Sequence, residues 1–157
     1  MIKNYTSSVP AIRSISYIEH QLVVHGARDI MKQYGSKGEL SELCFTIETN
    51  GKRIAFALPA RVERVEKILM AQVKKPRPDT KKRVKEQAER TAWKIISDWV
   101  VIQMSLIELG QAEFLEIFLS YVYDPAKRQT YFERMKENKF RQLLIAGPSN
   151  QDDERRE

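Results

Sequence analysis

Apolar residues first recur at helical spacing at Ile12, Ile15, Ile18 and Leu22. This predicts a helix from about Val9 to Val24, with Ser8 at its cap and Gly26 past its end. Asp29 to Tyr34 reads as a strand, followed by a Gly-Ser-Lys-Gly turn at Gly35 to Gly38. The strongest pattern comes next. Asn50-Gly51 suits a two-residue hairpin turn, because both of its positions take positive φ. With that turn in place Ile47 opposes Ile54, Phe45 opposes Phe56 and Leu43 opposes Leu58 on one side of the sheet. The other side pairs Glu48 with Arg53, Thr46 with Ala55 and Cys44 with Ala57. Two strands that alternate in matching phase specify their own register.

Pro59 closes the second hairpin strand, and Val62, Val65, Leu69 and Val73 mark a helix to about Lys75. Pro76 and Pro78 break it, leaving a short basic linker before a long helix that Asp79 or Thr80 can cap. Val84, Ala88, Ala92, Ile95 and Trp99 form one stripe on its early turns. From Ile95 to Leu109 apolar residues surround the helix, the mark of a central core helix or a subunit interface. Gly110 is expected to bend or end it. Phe114, Leu115, Phe118, Tyr121 and Val122 continue a helical pattern to Asp124-Pro125, and a last helix is predicted over Gln129 to Leu144. The expected fold is α+β: an N-terminal helix, a three-stranded antiparallel sheet with a tight hairpin, then a helical half built on one long central helix. Helices should cover the Phe45/Phe56 face. Residues 1–147 are expected to form one domain and residues 148–157 a disordered charged tail. The apolar long helix and Phe114 to Tyr123 exceed what three strands can cover, so a homo-oligomer is expected.

Charge changes this picture, because it is sorted by segment. Lys74 to Lys94 holds nine cations against Asp79, Glu86 and Glu89, an excess equal to the net charge of +6 carried by all 157 residues. Ile95 to Ala126 has no Lys or Arg and five acids, whereas Lys127 to Arg141 has six cations against Glu133 and Glu137. Blocks of one sign create a directional field that attracts phosphate-bearing ligands. The pI near 9.4 suits nucleic acid, a nucleotide or an anionic surface as partner. With 42% apolar and 31% charged residues the chain has a globular composition. No stretch reads as a membrane span or a signal-peptide core, so no membrane partner and a cytoplasmic setting are expected. Cys44 is the only cysteine, which excludes an internal disulfide and a cysteine-cluster metal site.

On the long helix Arg83, Arg90 and Lys94 fall on one face at i, i+7 and i+11, opposite the Val84/Ala88/Ala92 stripe and with Gln87 and Ser97 nearby. Such a row can follow a phosphate backbone, and the linker Lys74-Lys75-Pro76-Arg77 can close over it. The competing reading is a solvated helix whose cations are consumed by the i,i+4 pairs Lys82–Glu86, Lys85–Glu89 and Glu86–Arg90. The linker cations have no such partners and tip the reading toward a ligand. Trp93 stands beside Lys94 and one turn from Arg90, where it can stack on a base or pack at the helix boundary. The candidate phosphate or nucleic-acid residues are therefore Lys74, Lys75, Arg77, Arg83, Arg90, Trp93 and Lys94. Tyr131, Phe132 and Phe140 lie among the cations of the second basic segment, either to stack on bases or to anchor an amphipathic helix.

Other residues offer less chemistry. His20 and His25 lie about 140° apart on a helix, a poor metal pair. Cys44 reads as a small packed residue. Asp98 and Glu108 sit in an apolar helix, where each needs a partner, a pocket or the edge of the core. No Gly-rich phosphate loop, nucleophile elbow or metal-ligand cluster occurs, so no cofactor is implied and nothing argues for an enzyme.

The opening Ile2-Lys3-Asn4-Tyr5-Thr6-Ser7, the run Thr91-Ala92-Trp93-Lys94 and the stretch Gln111-Ala112-Glu113-Phe114-Leu115 resemble small uncharacterised proteins encoded in bacteriophage genomes. The likeness extends to about Leu144 and carries over no catalytic or binding residue. It implies expression in a host bacterial cytoplasm and an accessory role, in DNA metabolism or in countering host defence. From the residues, the preferred expectation is non-enzymatic binding of nucleic acid, DNA or RNA. The alternatives are a sponge that sequesters a small nucleotide signal, and a structural or partner-binding oligomer without a nucleic-acid ligand.

Overall fold

The computed structural model describes residues 1–146; the predicted tail at 148–157 lies outside them. Helix α1 spans Ala11–Val24 and packs along α3, which runs from Thr80–Glu108. Pro10 takes the cap position of α1 with no side-chain hydrogen bond, so Ser8 does not cap it. A proline there suits the start of a helix because the missing N–H has no intrahelical partner to lose. Strands β1 (Ala27–Tyr34), β2 (Leu40–Thr49) and β3 (Lys52–Pro59) form an antiparallel sheet in that order. The β2–β3 register pairs Leu43 with Leu58, Phe45 with Phe56, Ile47 with Ile54 and Glu48 with Arg53, as the alternation requires. Asn50 and Gly51 both take positive φ, 52° and 72°, which makes the turn follow the twist of its strands.

One face of that hairpin is aromatic. Phe45 and Phe56 stack at 5.0 Å, and helix α4 (Phe114–Phe118) lays Phe114 and Phe118 edge-on against them. Trp99 of α3 meets Phe118 at 5.4 Å, so α4 is the wedge between sheet and long helix. The helix covering of the Phe45/Phe56 face thus comes from a five-residue segment. Gly110 ends α3: its N–H bonds to the Ile107 carbonyl while the Gln111 N–H reaches the Leu106 carbonyl. That pairing needs a left-handed residue at Gly110, which has φ +68°.

Three predicted helices are shorter than their apolar patterns. Helix α2 covers Val62–Ala71 and stops before Val73, leaving Gln72 to Asp79 as the link to α3. After α4 the chain makes a 3₁₀ turn and then strand β4 (Tyr123–Asp124), paired with β5 (Gln129–Thr130). Val122 also bridges Phe56, so this small hairpin continues from the edge of β3. Helix α5 is only Tyr131–Glu137, started by a capping box in which Thr130 Oγ1 accepts from Glu133 N and Glu133 Oε2 accepts from Thr130 N. It ends where Lys139 and Phe140 take left-handed backbone. Among the described residues no helix is long and apolar enough to cross a membrane. The apolar half of α3 divides: Val100 and Met104 are fully buried, whereas Ile102 is 55% and, just past the helix, Leu109 70% exposed.

Candidate functional site

Where α2 leaves off and α3 begins, the two helices and their link enclose a cleft of about 600 Å³. Leu69 and Val73 from the end of α2, with Val84 from α3, make its apolar lining. Lys75 and Arg77 enter from the link, and Arg83 and Arg90 from positions two turns apart on α3. Arg90 follows Arg83 by seven positions, about 10 Å along the axis, so both arginines serve the same side of the helix. Among the described residues Glu86 is the one acid in the lining. The start of α3 also opens here, since Thr80 lines the cleft and its Oγ1 accepts from the Arg77 N–H at 2.7 Å. The positive dipole end of a long helix adds to the attraction for an anion. Asp79 sits at the cap position without a side-chain cap bond. Its carboxylate lies 3.6 Å from Arg83, an exposed pair of small energetic weight.

Arg90 is the most organised of the cations. Its Nη2 donates to Gln87 Oε1 at 2.7 Å, and Gln87 Nε2 donates to the Ser7 carbonyl at 3.1 Å. Both partners fix the amide's orientation, because a carbonyl can only accept and a guanidinium can only donate. Thr91 Oγ1 in turn donates to the Asn4 carbonyl. The N-terminal segment therefore lies against α3 and holds the side chain that holds Arg90. Among the described residues the buried Arg90 Nε has no hydrogen-bond partner, an expensive state for a donor of this kind.

Four of the seven candidate residues thus meet in one cleft: Lys75, Arg77, Arg83 and Arg90. The other three do not line it. Lys74 is exposed on the link outside the lining. Trp93 is 1% exposed and lines a separate cleft with Ile12, Ile15 and Tyr34, so it offers no ring to a base at the arginines. Lys94 is bound at 2.6 Å to Asp98, one turn further on, and this shortens the expected cationic row to Arg83 and Arg90. The three i,i+4 pairs that would have consumed the charge of α3 are absent among the described ion pairs. Instead α3 makes Asp79–Arg83 at its start and Lys94–Asp98 in its middle. The exposed Lys81 and Lys82 stand without an ion-pair partner among the described residues. Leu69, Val73 and Val84 had no signal as site residues, because an apolar residue in a helical stripe reads the same on a cleft wall as in a core.

Asp98 belongs to the scaffold. Burial raises its carboxyl pKa. The hydrogen bonds from Lys94 and Asn4, with the charges of Lys94 and Lys3, outweigh that and hold it below the usual range. A carboxyl whose pKa is depressed by folding adds stability above its unfolded pKa, about 3.9, and loses it as pH falls through the lower folded value. Asp98→Asn should accordingly be less stable than the unchanged protein at neutral pH, with the difference shrinking on acidification below about pH 4. Urea unfolding across that range measures this, and a difference that grows toward low pH would contradict it.

The remaining candidates are also placed. His25 bonds through Nδ1 to the Gln21 carbonyl and through Nε2 to Glu108 at 2.8 Å, tying the end of α1 to the end of α3. Burial, aided by Glu42, pushes the Cys44 thiol up to about 11, which keeps it protonated and a poor nucleophile at neutral pH. Phe132 shares a cleft with Glu42, Arg61 and Glu133, a setting that disfavours stacking on a polyanion, and its ring lies 5.9 Å from Phe140. Arg134 sits over the Tyr131 ring at 5.3 Å. Among the described residues no group of His, Cys, Asp and Glu side chains is placed to hold a metal ion. Compared with protein-family models, curated proteins and solved structures, the chain matches none of them.

Proposed function

We propose that this protein binds nucleic acid through its phosphates, in and around the α2–α3 cleft, as a non-enzymatic accessory protein. The observation that carries this reading is the convergence of Lys75, Arg77, Arg83 and Arg90 on one concave surface. Exposed Lys74, Lys81 and Lys82 extend the positive charge beyond the cleft. A small ligand would leave those outer cations idle, whereas a strand that continues past the cleft uses them. The resemblance to bacteriophage proteins gives the activity its setting, the cytoplasm of a host bacterium, with no membrane partner.

A second reading, capture of a small nucleotide in counter-defence, is favoured by the apolar wall of Leu69, Val73 and Val84 and by a volume in the range of ligand pockets. A third, a homo-oligomer or partner-binding protein, draws on exposed Ile102 and Leu109. A thermal-shift panel of single- and double-stranded oligonucleotides and mono-, di- and cyclic nucleotides separates the three, since a ligand of the folded state raises the melting temperature. Nucleic-acid binding predicts a shift that grows with oligonucleotide length. A large shift with one nucleotide and none with oligonucleotides supports the sponge. No shift with any of them leaves the third reading.

A further inference from the structure

We infer that the cleft selects an unpaired strand over a duplex, taking one base against its apolar wall while Arg90 holds a neighbouring phosphate. This deepens the nucleic-acid reading and rests on it. The argument comes from what shares the cleft. Cations and apolar side chains line the same concavity, so its occupant must present charge and an apolar face within one small volume. A duplex presents no free base face there. Its bases are paired and stacked inward, and its outer surface is phosphate and sugar, so Leu69, Val73 and Val84 would strip water from anionic oxygens without replacing their hydrogen bonds. An unpaired nucleotide turns its base away from its phosphate, which lets the base cover the apolar wall while the phosphate meets the arginines.

Arg90 is the fixed point of that arrangement. Gln87 holds one end of its guanidinium, and Ser7 holds Gln87, so little side-chain freedom remains to be lost when a phosphate arrives. Arg83, exposed and loosely paired with Asp79, serves the next phosphate by charge more than by fixed geometry. Among the described residues no aromatic ring lines the cleft, so the base is held by aliphatic contact and the preference among bases is small.

The test compares three labelled oligonucleotides of equal length by fluorescence anisotropy: a single strand, its duplex, and a single strand with abasic sites. The full chain should bind the single strand about tenfold or more tightly than the duplex. The abasic strand should lose most of that advantage while keeping the salt dependence of the intact strand. Val84→Asn, and separately Val73→Asn in the link outside any helix, should weaken single-strand binding several-fold and leave the duplex unaffected. A duplex bound as tightly as the strand, or an abasic strand bound as tightly as the intact one, overturns the inference but leaves nucleic-acid binding standing. Failure of all three to bind at low salt overturns the nucleic-acid reading itself.

Discussion

Phe118→Ala is expected to lower the stability of the fold by about 3–5 kcal/mol. Phe118 is 0% exposed, and its ring meets Phe45, Phe56, Phe114 and Trp99, with centroids from 4.5 to 6.2 Å away. Truncation leaves a cavity bounded by a β-sheet on one side and a 29-residue helix on the other, neither of which can move in to fill it. It also removes the edge-to-face contacts that orient the stacked Phe45–Phe56 pair. Helix α4 is too short to stand without tertiary contacts, so loss of Phe118 should loosen the whole segment from Glu113 to Tyr121. Leu119→Ala, one position along and 45% exposed, should cost under about 1 kcal/mol. Urea unfolding of both variants measures the contrast. Equal losses would mean that α4 does not join the sheet to the long helix.

The same segment shows where the sequence stops being legible. The β2–β3 hairpin could be read to the residue, because its turn and both faces of its alternation agree on one register. The order of the first helix, three strands and long helix was equally readable, since each has its own periodicity and stop signals. Past Gly110 the pattern misleads. Phe114, Phe118, Tyr121 and Val122 keep helical spacing, yet Val122 leaves the helix to bridge Phe56 and start a strand. That pairing is a contact far along the chain, invisible to a local reading, and it outweighs local propensity. The Thr130–Glu133 capping box was present in the sequence as a sign that the last helix starts after Thr130.

The candidate site was legible in charge and illegible in shape. The excess of cations between Lys74 and Lys94 marked out one segment, and four of its residues share the cleft. Helical phase placed Arg83, Arg90 and Lys94 on one face, but phase cannot show that Asp98 binds Lys94 or that Trp93 turns away into a second cleft. Phase also set Val84 opposite the arginines. The cleft nonetheless includes all three, because α2 packs beside α3 and makes one wall out of what looked like the buried stripe.

Replacing Lys75, Arg77, Arg83 and Arg90 together by Ala tests the central claim most directly, and the effect on binding should be large. Each cation that meets a phosphate releases counterions. Removing four contacts to a single strand should therefore lower the steepness of log affinity against log salt by up to about 3, and cut affinity at low salt by about 100-fold or more. Three of the four side chains are exposed and none belongs to the aromatic core, so the variant should unfold close to the unchanged protein. The companion variant Lys127→Ala, Arg128→Ala, Lys136→Ala removes three exposed cations from the other basic segment and gauges what bulk charge contributes. Measured across a salt series on one oligonucleotide, the account predicts a much flatter and weaker response for the cleft variant and a minor change for its companion. A folded cleft variant that keeps its affinity and its salt slope, or a companion that loses them instead, would contradict it.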